Sequence, residues 1–436
     1  MSDPANSETI SVHQSEQAAS RLKRRKRRES GFQLLGISAI VAALTALVWL
    51  MVSIVGTGYT AFYQHHMSIE VVLDESLLDP TGARDPDALR KANYRRIVQN
   101  TLYDRFPEIT ERRAKQALFK TVSASGATDM VRQMVYNDPS LVGQTISLIV
   151  PTSDDVDQFL KGYIDRDVPE DRRKLSDQQI GWVDTLVETG EIRARFNWAF
   201  FTATDSRDPE LAGIAGAVAG SFMALLVAFL VAVPIGIGAA VYLEEFAPEN
   251  LLTDIVEINI NNLAAVPSII FGLLGLAVFL NFFGMPRSAP LVGGLVLALM
   301  TLPTIIIATR AALRAVSPSI VNGALSLGAS KTQAVFHHKV PLAAPGILTG
   351  TIIGMAQALG ETAPLLMIGM VAFVTEIPTS VTEPASALPV QIFLWADSAE
   401  RAWAERTSAA IIALLVVLVS MNALAIFLRS KLEKRW

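Results

Sequence analysis

Two stretches carry residues whose types and spacing suggest chemistry. The first, "GALSLGASKTQ" from Gly323 to Gln333, nearly spells a phosphate-binding loop. Such a loop sets Lys directly after its second glycine, so that backbone N–H groups wrap the phosphates while the ammonium reaches the terminal one. Here Ala329 and Ser330 intervene, and Lys331 arrives two positions late. The preceding segment, "RAALRAVSPSIVN", is charged and broken by Pro318, not a buried strand. Nucleotide hydrolysis by this chain is not expected. The second stretch holds one acid, Glu361, within an otherwise apolar run, 346–374. A carboxylate in hydrocarbon costs at least ~2.5 kcal/mol, so it needs a partner, either a working one or a fixed interhelical ion pair. No catalytic residue set and no metal site accompany these two features. His65 and His66 are adjacent, and neighbours on a strand point to opposite faces.

The elements that position these residues are membrane helices. The chain has 436 residues, of which 51% are hydrophobic and 18% charged, well below the roughly 25% charge of soluble domains. It has no cysteine, which excludes disulfides, thiolate metal sites and thiol catalysis. Apolar runs at 31–56, 211–243, 263–283, 346–374 and 407–428 meet the length of about 20 residues that a bilayer demands. A shorter run at 290–308, interrupted by Pro303, completes six spans. The first run is too long for a secretory signal and lacks a nearby cleavage site, so it reads as an uncleaved helix. Pro234, Pro267, Pro303 and Pro364 interrupt membrane segments as hinges or passive kinks.

The basic run "RLKRRKRR" precedes the first span, which puts the N-terminus in the cytoplasm. A nucleic-acid arm is the weaker reading beside a membrane helix. Six crossings return the C-terminal "RSKLEKRW" to the same side. The organisation is then a basic tail 1–30, a first transmembrane helix 31–56, an extracytoplasmic domain 57–210, a five-helix core 211–428 and a tail 429–436. Strand-like alternation at 67–75, 143–151 and 191–203, with helical spacing at 87–106, 110–123 and 153–164, makes 57–210 an α+β domain. Its expected role is docking or spacing. The fold class is an all-α polytopic membrane protein with an α+β soluble extracytoplasmic insertion.

A cytoplasmic segment, 310–345, separates the fourth and fifth spans. Helix formers from Ala324 to Leu327, a break at Gly328 and the amphipathic "SKTQAVFHHK" predict a helix–glycine–helix elbow, stopped by Pro341 and Pro345. This elbow resembles the coupling loop of ABC importer permeases, whose pattern is E-A-A, three residues, G, nine residues, I-x-L-P. Asn322, Gly323 and Ala324 stand at the E-A-A positions, Gly328 at the glycine and Pro341 at the proline. Asn322, Gly323, His338 and Val340 depart from the pattern. The runs 238–276 and 358–369, "ALGETAPLLMIG", further resemble the phosphate-specific (Pst) importer permease of PstA type. That likeness spans about 211–428; residues 57–210 resemble an extension found in some proteobacterial members.

The resemblance implies a multi-pass subunit of the bacterial inner membrane that is not itself an enzyme. Its implied partners are a second, PstC-like permease, two copies of an ATPase subunit, an extracytoplasmic phosphate-binding protein and the lipid bilayer, with no nucleic acid. The chain binds no cofactor in this reading, and ATP is used by the partner ATPase. Family members often carry Arg four residues before the acid, where this chain has Gln357. The positive charge for an anion then comes from Arg310 or from the partner permease, with Thr362 adding a hydroxyl; Arg310 otherwise reads as a positive-inside anchor. Gly346, Gly350 and Gly354 form a ladder for close helix approach, expected to face the second permease with Glu361 near the same stripe. Two other readings stand: a permease for sulfate or molybdate, and a membrane receptor sensing through 57–210.

Overall fold

The computed structural model describes residues 16–432 except 81 and 372. The outer parts of the two basic tails, 1–15 and 433–436, lie outside the described residues. The chain divides after Gly56 into two compact units. Of the first, one helix is described, α1 (Glu16–Gly58), in which the basic run and the apolar run are continuous.

In the second unit a three-stranded antiparallel sheet is formed by β1 (Tyr63–Val72), β2 (Thr145–Pro151) and β3 (Ile192–Phe196) in the order β2-β1-β3. Alternation explains the sheet's buried face: Met67, Ile69 and Val71 of β1 lie beside Leu148 and Val150 of β2. Helices close over this face through Ile97, Leu102, Leu118, Val131, Val183 and Leu186, all in one buried cluster. The helical stretch expected at 87–106 is two helices, Pro86–Lys91 and Tyr94–Arg105, because Asn93 leaves helical geometry and caps the second through Arg96 N–H at 3.1 Å. The strand expected to reach residue 203 stops at Phe196. There Asn197 accepts a bond from Phe200 N–H at 3.1 Å and starts the short helix Trp198–Thr202. The stretch expected at 153–164 begins its helix at Asp154, and Ser153 before it makes no side-chain cap bond.

The core contains α2 (Ala215–Val241), the broken pair α3 (Leu251–Ala264) and α4 (Ser268–Gly275), α5 (Pro290–Arg314), α6 (Val340–Gly360) and α7 (Arg401–Leu432). Among the described residues five helices are long and apolar enough to cross a membrane, or six if the α3–α4 pair is one bent span. That pair bends by 103°, so the third expected span does not run straight from 263 to 283. The bend falls at Pro267, in extended conformation, where proline disfavours helix in the residue before it. Pro234 and Pro303, in contrast, lie inside continuous helices.

Candidate functional site

The site is organised by how α5 and α6 pack. A methyl built on Gly350 would come 2.2 Å from Ala308 Cβ, and one on Gly346 would come 2.6 Å from Ala312 Cβ. These glycines let the two backbones approach as small residues do in membrane bundles. At Gly354 the nearest atom, of Ile305, is already at an ordinary 3.5 Å. The ladder therefore faces α5 of the same chain, which corrects its expected assignment to the second permease. The other side of α6 is the open one: Ile353, Gln357 and Gly360, spaced four and three apart, are exposed, as neighbours on one helical face.

Glu361 continues that open face but is not inside a helix. It is the C-cap of α6, with extended backbone (φ −75°, ψ 126°), followed by the short helix Ala363–Met367. The fifth expected span, 346–374, thus ends at Gly360. Pro364, in the first turn of the short helix, prevents continuation. Pro364 and Met367 are seated against Gly272 of α4, which fixes this turn. Glu361 is half-buried, and its carboxylate has no ion pair or hydrogen bond among the described residues. Gln357 lies one turn before it on the same face, and Thr362 follows it.

Arg310 does not join them. With Gly350 level with Ala308, Arg310 lies about 20 Å along the helix axis from Glu361. Its guanidinium instead reaches Glu244 at 3.2 Å and Glu257, while Arg314 reaches Glu244 at 2.7 Å. These contacts hold Arg310 in an ion-pair network at the helix end, away from Glu361. The acids come from "LEEF", Leu243–Phe246, and from α3. In the sequence that run stands out only within the family likeness over 238–276. The signal available was sign: two adjacent acids at one end of a span, against Arg310, Arg314 and Lys339.

The elbow lies at the opposite end of α6 from Glu361. A first helix, Pro318–Ser326, ends in two bonds, Gly328 N–H to Leu325 O at 3.0 Å and Ala329 N–H to Ala324 O at 3.1 Å. This pairing is a Schellman closure, and it needs the left-handed backbone that Gly328 supplies at φ +92°. Ser330 and Gln333 then form a capping box that starts the second helix. Asn322, Gly323 and Leu327 stand exposed at the tip, Leu327 at 92% of its surface, with Ala324 half-buried.

Contrary to expectation, Pro341 and Pro345 do not stop this second helix. It runs from Lys331 through a π-turn at Val335–Lys339 into α6, as one span Lys331–Gly360. The π-turn's bond, Val340 N–H to Val335 O, skips one residue more than an α-helix does. That offset accommodates the missing N–H of Pro341, whose exposed ring follows the turn. The elbow is tied to the end of α2 by Lys339 on Glu245, by Phe336 stacked on Phe246 with centroids 6.5 Å apart, and by Lys331 over the Phe246 ring at 5.5 Å.

A third feature escaped sequence reasoning altogether. Lys161, fully buried, bonds Asp157 at 2.7 Å and Glu405 at 2.6 Å, joining the sheet-bearing domain to the first turns of α7. His65 completes it with a 2.9 Å contact to Asp157. Burial alone raises the Asp157 carboxyl, but the bonds from His65 and Lys161 outweigh it and hold the group below the usual range. The sequence placed His65 and His66 on opposite faces; that a lysine and two distant acids converge there is tertiary information.

Two protein families match along the chain. Residues 232–436 match the family described as binding-protein-dependent transport system inner membrane component. Residues 19–170 match one described as a domain of unknown function. A probable ABC transporter permease protein, YqgI of Bacillus subtilis, is 30% identical over 212 residues, 46% of this chain and 71% of that protein. The phosphate transport system permease protein PstA of Yersinia pestis is 32% identical over 221 residues, 50% of this chain and 74% of its own. PstA of Xylella fastidiosa is 31% identical over 235 residues, 53% and 80% respectively. Among solved structures, an inward-facing MetNI methionine ABC transporter chain is similar at 16% identity with a TM-score of 0.40, over 49% of this chain and 95% of that one. With relatives above 30% identity matched over most of their length, and with the bundle of apolar spans in place, this chain belongs to the inner membrane components of binding-protein-dependent transport systems, the permeases of ABC importers.

Proposed function

We propose that this chain is the permease subunit of an ATP-driven phosphate importer. It forms the translocation pathway with a second, PstC-like permease, oriented with both termini and the elbow in the cytoplasm. The complex holds two copies of a separate ATPase subunit, one of which binds the elbow, with Leu327 and its neighbours as the inserted tip and Asn322, Gly323, Ala324, Gly328 and Pro341 shaping it. ATP is consumed there; this chain carries no cofactor. An extracytoplasmic binding protein delivers phosphate to the other end of α6. The observation that carries this reading is the continuous rod Lys331–Gly360, with the elbow at one end and, at the other, Glu361, whose carboxylate has no partner among the described residues. A stroke at the elbow displaces such a rod as one body, and the displacement moves Glu361, Gln357 and Thr362 relative to the second permease. ATP shifts the population only through its different affinity for the two states. The relatives named as phosphate transport permeases support the choice of substrate.

Glu361 accepts a hydrogen bond from a protonated phosphate oxygen, or holds a cation that the second permease contributes. Because Arg310 is engaged by two acids 20 Å away (approximately, by helix rise), the second permease is the source of that cation. The test is radiolabelled phosphate uptake by Glu361→Gln in the assembled complex, with unlabelled sulfate and molybdate as competitors. Uptake should vanish while the subunits still co-purify, and neither competitor should reduce the wild-type rate. Undiminished uptake would remove Glu361 from the pathway; displacement by sulfate or molybdate would reassign the substrate.

A further inference from the structure

The sheet-bearing domain carries an aromatic row that the transport reading does not use. Phe62, Phe201 and Phe196 stack nearly parallel, with centroids 5.8 and 6.0 Å apart, and Trp198 closes the row edge-on to Phe196 at 4.8 Å. Three of these rings face outward: Phe196 is 51% exposed, Trp198 69% and Phe201 38%. They lie on β3 and on the short helix that Asn197 starts. Because the sheet order is β2-β1-β3, β3 is an edge strand with one side unpaired. An aromatic edge left in water invites association with other chains. Water is therefore a poor partner for it.

Two observations identify a better one. The first is position. Phe200, between Phe201 and the interior, is wholly buried in a cluster with Ala217 of α2 and Trp395, Ala409 and Ala410 near the start of α7. The turn Tyr59–Phe62 packs on the same end of α7, where a methyl on Gly58 would come 2.8 Å from Ala409 N. The aromatic row is thus continuous with the ends of two apolar spans, at the level where a membrane surface must lie. The second is charge. Arg193 and Arg195, exposed on β3, alternate with Phe196 and so leave the same edge strand on its other face, where they form no ion pair among the described residues; Arg193 donates only to Gly190 O, at 2.9 Å. An edge strand with aromatic rings on one face and long, unpaired arginines on the other suits the headgroup region when its free edge meets the membrane, rings reaching the acyl boundary and guanidinium groups extending to phosphates.

We infer that β3 and the helix Trp198–Thr202 rest on the adjoining leaflet, Phe196, Trp198 and Phe201 inserted at the acyl boundary and Arg193 and Arg195 on anionic headgroups. The domain is then held against the membrane by lipid as well as by its contact with α7. This inference stands apart from the substrate and from the direction of transport.

The absence of cysteine gives a direct test. Full-length chain bearing Trp198→Cys, labelled with an environment-sensitive fluorophore, is placed in nanodiscs of mixed neutral and anionic lipid. Tyr136→Cys, 58% exposed on the domain, is the reference position. Lipids brominated near the headgroup should quench the label at 198 roughly twofold or more and leave the reference unaffected. Arg195→Glu should weaken the quenching when anionic lipid is present. As a second measurement, native tryptophan quenching by the same lipids should fall in Trp198→Phe. A label at 198 as water-exposed as the reference overturns the inference. So does a label that is shielded yet untouched by brominated lipid, which would mean that another protein covers the surface.

Discussion

Gly350 of α6 and Ala308 of α5 are in contact so close that a Cβ on the glycine would stand 2.2 Å from the alanine's. The contact fixes which face of α6 remains for other subunits. Gly350→Ala should therefore destabilise the purified chain by about 1–3 kcal/mol through overpacking, despite alanine's better helix propensity. Gly354→Ala, where the nearest atom is 3.5 Å from the new methyl, should be neutral or stabilising. Thermal unfolding in detergent, followed by size-exclusion recovery, separates the two. Equal effects would mean that the α5–α6 contact is looser than described.

The elbow leads to a second prediction. Lys339 and Glu245 are largely buried, their side chains 15% and 8% exposed, and breaking such a pair from one side costs about 3–5 kcal/mol. Lys339→Glu should abolish transport by uncoupling the elbow from the end of α2. The exchange of both charges, Lys339→Glu with Glu245→Lys, should restore a measurable fraction. Uptake in membrane vesicles reads this, with the amount of membrane-inserted chain as control. Failure of the exchange to restore uptake, with the chain present, would show that the pair does not act as a unit.

Burial of one acid predicts a pH dependence in the sheet-bearing domain. The Glu210 carboxyl is pushed up to about 7, first by loss of water around it and then by Asp154 and Asp208, against a bond from Ser123. Asp154 is raised in the same way, to about 6. A raised acid binds its proton more tightly in the folded state, so stability is complete below the unfolded value near 4.5 and is lost as pH climbs to about 7. For Glu210 the loss is about 3 kcal/mol. Hydrogen exchange of peptides covering 192–211 should quicken between pH 5 and pH 8 beyond the intrinsic chemical rate. Glu210→Gln should remove most of that excess; if it does not, another group carries the dependence.

How much of this was legible depends on what kind of information a residue carries. Met67, Ile69 and Val71 alternate, and that pattern locates β1; at β3 the same signal ran on into the helix Trp198–Thr202. Spans such as 211–243 and 407–428 show in hydropathy, and the elbow shows in the placing of Gly328 between helix formers. Direction does not show. The run 263–283 is apolar whether it is straight or follows a 103° bend, and 346–374 looks like one span although Glu361 has extended backbone. Periodicity placed Glu361 near the glycine stripe but could not say which helix the glycines touch. The partner proved to be α5, and the open face is that of Ile353, Gln357 and Gly360. Pro341 and Pro345 read as stops because the π-turn that accommodates Pro341 is a property of backbone geometry.

The cluster around Lys161 was invisible to sequence for a related reason: its members come from β1, from the helix Asp154–Leu160 and its C-cap, and from α7. It makes the sharpest claim about the domain's attachment. Lys161→Met removes the cation that bonds both Asp157 and Glu405 in a site from which water is excluded. His65, Gln158 at 2.6 Å from Glu405, and the field of the buried Arg406 offset only part of that cost. Loss of about 3–5 kcal/mol is expected, and it should fall on the contact between domain and α7 before the sheet's own core. Protease sensitivity should thus appear near residues 57–62 and 203–214, while the sheet peptides stay protected. Adding Glu405→Gln to Lys161→Met removes one of the stranded charges and should recover much of the loss, because Asp157 then retains His65. Uniform unfolding of the whole domain in the single variant would show that Lys161 supports the domain's core and not its attachment to the last span.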